Sequence, residues 1–212
     1  MLRQRLKILI ACVLTVLCAA GAVRAVKAAS VSSLQRQATN GFFHDSIWEK
    51  RQVTDPDKVI QYARIAEKRY PEGYHMFAHA ASISWDTARA ARDNYQYAEF
   101  DKYIGQALHF SQKALALNPY GEQTRRVYVD VLIELGRTTE AIDYWRGIMD
   151  MEFWYNGNHD KMAYLLMCSD NPEHLREAVT MMTPPPGQNH LWIVNDPVIR
   201  KKLRAYQSVI LR

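Results

Sequence analysis

Cysteine is scarce in this chain, which excludes stabilisation by disulfides. Of three cysteines in 212 residues, Cys12 and Cys18 lie in an apolar N-terminal stretch. The remainder contains only Cys168, so it cannot form an intramolecular disulfide and depends on its hydrophobic core. Mostly apolar residues precede Cys168 from Met162 onward, which favours a buried, unreactive thiol over a catalytic or redox-active one.

Motifs of catalysis are also missing. The chain has no glycine-rich phosphate loop, no Gly-x-Ser-x-Gly turn and no Cys-x-x-Cys pair. Two His-Asp dipeptides, His44-Asp45 and His159-Asp160, occur without the further histidines and aspartates that metal-dependent phosphohydrolases of that name use. We therefore expect no enzymatic activity and no cofactor.

The sequence after residue 54 has signals for helices and none for β-strands. From Asp55 to the C-terminus, no run alternates apolar and polar residues with the Val, Ile and Thr content typical of strands. Helix-start signals recur instead. Thr54-Asp55-Pro56, Asn171-Pro172 and Asn195-Asp196-Pro197 each place a capping side chain directly before a proline. The chain is therefore predicted to be all-α.

The positive charge of the chain is confined to its beginning. The formal net charge is +5, and residues 1–28 hold five basic and no acidic residues: Arg3, Arg5, Lys7, Arg24 and Lys27. The remaining residues carry 22 basic side chains (27 less these five) and 22 acidic ones. Because the folded part is formally neutral, we expect no nucleic-acid partner.

Residues 1–28 are predicted to be a signal peptide or a membrane anchor. The uncharged run Ile8–Val23 has sixteen residues, between the about 7–15 of a secretory signal and the about 17–25 of a spanning helix. Small residues at Ala20-Gly21-Ala22 and Val26-Lys27-Ala28 favour cleavage, whereas the positions of Arg24 and Lys27 suit an uncleaved anchor. In both cases the rest of the chain is expected outside the cytoplasm, either membrane-anchored or exported to the periplasm.

A polar linker and a helical domain are expected after the leader. Residues from Ala28 to Asn40 are mainly Ser, Gln, Ala and Thr, which predicts a linker over 29–54. Residues 55–212 form the predicted helical domain. Helices are expected over Pro56–Arg69, Gly73–Arg92, Tyr97–Leu117, Glu122–Leu135, Thr138–Met149, His159–Cys168, Pro172–Met182 and Pro197–Val209.

Two stretches of the chain match at a spacing of 34 residues, Ala107 in Gln106–Pro119 and Ala141 in Leu135–Met149. This spacing is the period of the tetratricopeptide repeat. Ala107, Ala114 and Pro119 fall where that family keeps small residues and its helix-ending proline, and Gly136, Ala141 and Trp145 recur in the next unit. The segment Gln106–Met149 therefore resembles tetratricopeptide repeats. Pro71 and Pro119 are 48 residues apart, so one hairpin is longer than the standard unit.

The resemblance implies a short right-handed superhelix of about three such hairpins, with a C-terminal capping helix and a preceding N-terminal hydrophobic helix. In this family the first helix of each pair lines a concave groove that binds another polypeptide. The residues that would line it are His75, His79, Ser82, Trp85, Asp86, Gln123, Arg126, Asp130, Ile133 and Glu134. Trp85 is the expected anchor for a peptide, although it and the histidines would also suit filling between hairpins.

Two other functions remain open from the sequence. His75 and His79 are four residues apart on a predicted helix, the spacing at which two histidines can share a metal ion in an enzyme or a ligand-binding protein. No glutamate follows His75 as in zinc proteases, and no third ligand is evident, so we expect no metal. The second alternative is a structural spacer whose N-terminal helix contacts membrane partners.

Overall fold

The computed structural model describes residues 2–43, 55–152, 155–181 and 201–206. All regular structure in these ranges is helical, which confirms the all-α prediction for the described residues. Residues 201–206 belong to a ninth helix, α9. The others are α1 (Leu2–Phe43), α2 (Pro56–Arg69), α3 (Tyr74–Asp93), α4 (Tyr97–Leu117), α5 (Glu122–Glu134), α6 (Thr138–Met151), α7 (Asn156–Met167) and α8 (Pro172–Thr180).

The helix boundaries agree closely with the predicted ones. The largest difference at a helix start is in α7, which begins at Asn156 and not at His159. Gly73 caps α3 without belonging to it. The C-terminal helix predicted over Pro197–Val209 is described only at 201–206, and both of its predicted ends lie outside the described residues.

Side-chain caps explain where α2 and α8 begin. The Asp55 carboxylate accepts a hydrogen bond from the backbone N–H of Asp57 at 3.0 Å, and the Asn171 amide oxygen accepts one from Glu173 at 3.0 Å. Both contacts satisfy N–H groups that have no partner within the helix. The third predicted start, Asn195-Asp196-Pro197, lies outside the described residues.

The first helix is continuous past the predicted end of the leader at residue 28. α1 extends to Phe43 and includes the first part of the predicted linker 29–54; residues 44–54 lie outside the described part of the chain. By length and composition, the segment Leu9–Leu34 could cross a membrane, a property that signal sequences share; its most apolar 18-residue window has a mean hydropathy of 2.3. The predicted N-terminal hydrophobic helix is therefore confirmed.

The chain divides into two compact units, and the division falls within α5. The N-terminal unit is Met1–Val127 and the C-terminal unit is Tyr128–Arg212. In the N-terminal unit α3 packs along α4, α2 packs on α3, and α1 contacts both α2 and α3. The rings of Phe77 and Phe110 lie 6.2 Å apart and nearly parallel between α3 and α4. Around them fully buried alanines, including Ala80, let the helices approach closely.

In the C-terminal unit α7 packs against both α6 and α8. Trp145 of α6 is fully buried, and its indole N–H donates a hydrogen bond to the Asn158 carbonyl oxygen at 2.9 Å. Leu203 of α9 is also fully buried. The flanking residues Lys202 and Arg204 are exposed.

The turn between α5 and α6 requires glycine at position 136. Gly136 has a φ of +71°, in the left-handed region that side chains other than glycine rarely adopt. The following N–H, of Arg137, donates to the Leu132 carbonyl at 2.8 Å and closes the end of the helix.

Candidate binding surfaces

Four of the predicted groove residues lie along one stripe of α3. His75, His79, Ser82 and Asp86 follow one another at intervals of four, three and four residues, which places them on one helix face. His75 and Asp86 are exposed, and His79 and Ser82 are half-buried. This side of α3 therefore presents a polar stripe within the N-terminal unit, exposed at His75 and Asp86.

Trp85 is less available than a peptide anchor would be. Its side chain is buried, with 8% of the residue exposed. The guanidinium of Arg89 lies over the indole at 5.9 Å from the ring centroid. Since little of the ring is open to a partner, the burial of Trp85 favours the alternative interpretation, in which it fills space between helices.

The alternative metal site at His75 and His79 has no geometric support. The His75 ring packs edge-on against Tyr74, with centroids 5.1 Å apart. Among the residues that the structure describes, no group of three or more His, Cys, Asp and Glu side chains comes together. Two histidines without further ligands do not make a structural or catalytic zinc site.

The predicted groove residues of α5 divide between the two units. Gln123 and Arg126 belong to the N-terminal unit. Gln123 is exposed, and Arg126 donates to the Glu122 carboxylate on the same helix at 3.1 Å. Asp130, Ile133 and Glu134 belong to the C-terminal unit and are all half-buried.

In the C-terminal unit, Asp130 and Glu134 lie beside two α7 residues that the sequence analysis missed. Asp130 forms an ion pair with Lys161, whose side chain is 11% exposed. The Lys161 ammonium lies 5.0 Å from the centroid of the Tyr164 ring, a cation–π distance. We call Asp130, Glu134, Lys161 and Tyr164 the α5–α7 surface. For the two missed residues, the sequence signal is the three-residue spacing of Lys161 and Tyr164, which places both on one face of α7.

Two groups at or beside this surface, the Tyr164 hydroxyl and the Cys168 thiol, have raised pKa values. Burial raises the pKa of Tyr164 to about 12, and the adjacent Cys168 and the negative charges of Asp130 and Glu134 add to the effect. Tyr164 is therefore a neutral hydroxyl at physiological pH. Burial also raises the pKa of the Cys168 thiol, although its hydrogen bond with Tyr164 and the charge of Lys161 oppose this. The thiol is half-buried, where the sequence predicted a buried one, and it is protonated, as an unreactive cysteine is.

A second polar cluster, joining α2 and α4, was also missed. Arg64 donates to Gln106 at 2.9 Å and to the Glu67 carboxylate at 3.1 Å. Glu67 also contacts the Lys113 ammonium at 2.7 Å and the His109 ring nitrogen at 3.2 Å. These five residues form the α2–α4 cluster. Their spacing on each helix is visible in the sequence, but the pairing of the two helices is not.

Comparison with known proteins adds no family assignment, because the sequence matches no protein-family model and no curated protein. Functional inference therefore rests on the helices, their surfaces and the N-terminal segment.

Proposed function

We propose that the chain is a non-catalytic protein-interaction module, held at the cell envelope by α1, that binds a partner polypeptide. Its helices would form a short superhelix of tetratricopeptide-like hairpins. In support of this arrangement, Ala107 and Ala141, which are 34 residues apart, are both fully buried in the second helices of successive pairs, α4 and α6. Small buried residues at the repeat period are what stacked hairpins require.

The observation that carries the proposal is the α5–α7 surface. α5 and α7 are the first helices of their pairs, the position that lines the groove in tetratricopeptide repeats. The Asp130–Lys161 ion pair links them across a partly buried interface. Beside it Tyr164 is 36% exposed, so part of this residue is open to a partner. A tyrosine on a rigid support is a common anchor in protein interfaces, because little entropy is lost when it binds.

The proposed orientation follows from charge. Arg3, Arg5 and Lys7 precede the apolar segment, and basic residues favour the cytoplasmic side of a membrane. A retained α1 would therefore place both compact units on the extracytoplasmic side.

A binding experiment with matched variants tests the proposal. The intact chain is purified with its partners from detergent-solubilised membranes, and the affinity of each purified partner is then measured. Tyr164→Ala combined with Glu134→Lys removes the anchor and reverses a charge of the α5–α7 surface. We expect this variant to bind its partner at least tenfold more weakly, which corresponds to about 1.4 kcal/mol.

The control combines Tyr120→Ala with Asp150→Lys, which likewise removes a tyrosine and reverses one negative charge, at exposed residues outside the α5–α7 surface. This control is expected to bind normally. Circular dichroism must show that both variants keep their helices. If the test variant binds as well as the control, the α5–α7 surface is not the binding site, and the structural-spacer alternative is preferred.

A further inference from the structure

A cleft of about 640 Å³ lies between α1 and the turn that joins α2 to α3. One wall is a face of α1, with Val16, Ala20 and Val23 at one end and Arg24 and Lys27 at the other. These positions recur at three and four residues, as neighbours on one helix face do. The opposite wall is Arg69, the last residue of α2, and the turn residues 70–72.

The cleft is open because α1 contacts the rest of its unit further along the same face. Val31 is 3% exposed, and a methyl group added at Gly73 would lie 3.6 Å from its side chain. From Leu9 to Lys27, in contrast, every residue of α1 is exposed. Ala20 adds little bulk to the wall, so space remains between the helix and the turn.

The two ends of the cleft suit different parts of a lipid. Arg24 is the first charged residue after the apolar run, so it marks the level at which hydrocarbon gives way to headgroups. At 1.5 Å per residue, Val16 lies about 12 Å deeper than Arg24 along the helix. The apolar end of the cleft therefore lies among acyl chains, and the basic end lies among headgroups.

The basic end has an excess of positive charge. Arg24, Lys27 and Arg69 line it together with one carboxylate, Glu72, which forms an ion pair with Arg24. Lys27 and Arg69 are exposed and form no ion pair with any residue that the structure describes. Ammonium and guanidinium groups at this level bind phosphate oxygens, and arginine can do so with two parallel hydrogen bonds.

From this geometry we propose that the cleft binds one anionic phospholipid, with its headgroup between Lys27 and Arg69 and an acyl chain along Val16 and Ala20. The proposal rests on the proposed function in one respect, the retention of α1 as a membrane anchor. An occupied cleft would fill the space between α1 and the α2–α3 turn, and would hold that turn against the membrane surface.

Native mass spectrometry of the intact chain in detergent tests this site. The chain is mixed with phosphatidylglycerol or with phosphatidylcholine of the same acyl chains. We expect one phosphatidylglycerol to remain bound to each chain and phosphatidylcholine to be lost. Lys27→Gln with Arg69→Gln is expected to reduce bound phosphatidylglycerol at least tenfold. The control, Lys58→Gln with Lys68→Gln, removes two charges of α2 outside the cleft and is expected to bind normally.

A second variant, Ala20→Trp, fills the apolar end without changing any charge and is also expected to lose the lipid. Three results would overturn the proposal: equal binding of both lipids, equal loss of phosphatidylglycerol in the Lys27/Arg69 and Lys58/Lys68 variants, or displacement of the lipid by inorganic phosphate. The mass of the chain isolated from membranes tests anchoring separately. If residues 1–28 are absent, the proposed anchoring fails; if they are present and no anionic lipid is selected, only the lipid site fails.

Discussion

Glu67 is the residue on which the contacts of the α2–α4 cluster converge. Its side chain is 21% exposed, and this partial burial would by itself raise the pKa of the carboxyl. Hydrogen bonds from Lys113 and Arg64 and the nearby charge of His109 outweigh it and lower the pKa to about 2. Because folding lowers this pKa, ionised Glu67 stabilises the fold above the ordinary value of 4.5, and the contribution is lost as the pH falls toward 2.

Replacing Glu67 should weaken the N-terminal unit in a pH-dependent way. We expect Glu67→Gln to lower the free energy of unfolding at pH 7 by an amount on the order of 1–2 kcal/mol, since Arg64 and Lys113 lose a charged partner at a partly hydrated site. Urea unfolding of the intact chain in detergent, followed by circular dichroism, measures the change. At pH 3 the difference in the free energy of unfolding between the variant and the original chain should be smaller, because part of the contribution of ionised Glu67 is lost below pH 4.5.

Asp101→Asn is the matched control for this prediction. Asp101 is an exposed carboxylate on α4, and its replacement is expected to change the stability by less than about 0.5 kcal/mol. A Glu67→Gln effect no larger than this, or one that does not change with pH, would contradict the role given to Glu67.

Among the helical elements, the junction of α4 and α5 depends on a close approach. A side chain added at Gly121 would overlap the Tyr74 hydroxyl and come within 3.1 Å of its ring carbon Cζ. The same hydroxyl lies 3.3 Å from the Thr124 hydroxyl, in the first turn of α5. Gly121 therefore leaves room for Tyr74 to reach the start of α5.

A double-mutant cycle tests this contact. Gly121→Ala is expected to destabilise the chain by about 1–3 kcal/mol, because the added methyl group displaces Tyr74. Tyr74→Phe removes the atom that meets the methyl group, so the two changes together should cost less than the sum of their separate effects. Thermal unfolding of the four forms gives the coupling. Strict additivity would show that Tyr74 does not limit position 121.

The helices themselves follow from short-range patterns. The caps Asp55 and Asn171 were readable because a capping side chain bonds within its own first turn. The α5–α7 surface was readable only on α5, where Asp130 and Glu134 are one turn apart. Lys161 and Tyr164 were missed because nothing local in α7 indicates which helix it packs against.

At the scale of the whole molecule, α1 has two parts with different surroundings. Its exposed apolar part up to Lys27 suits a membrane, whereas Val31 is buried against the N-terminal unit. A chain lacking residues 1–28 keeps Val31 and loses the apolar segment. We expect this shortened chain to leave the membrane fraction for the aqueous one and to keep its helical circular dichroism spectrum.

In the shortened chain, Val31→Ala should lower the free energy of unfolding by about 1–2 kcal/mol, the value of a buried valine side chain. Ser32→Ala changes the neighbouring exposed residue and should have little effect. If the shortened chain stayed with membranes, a surface other than α1 would have to hold it there. Equal effects of the two substitutions would show that Val31 is not part of the core.

The sequence by itself determined the helices, their caps and the apolar N-terminal segment, because each depends on residues within about one helical turn or on one unbroken run. Only the tertiary structure decided which helix faces meet. Arg64 and Gln106 are 42 residues apart, and Asp130 and Lys161 are 31 apart. The burial of Trp85 and the cleft beside α1 also depend on how the helices pack. Such contacts form when helices pack, and packing depends on the shapes of both surfaces together.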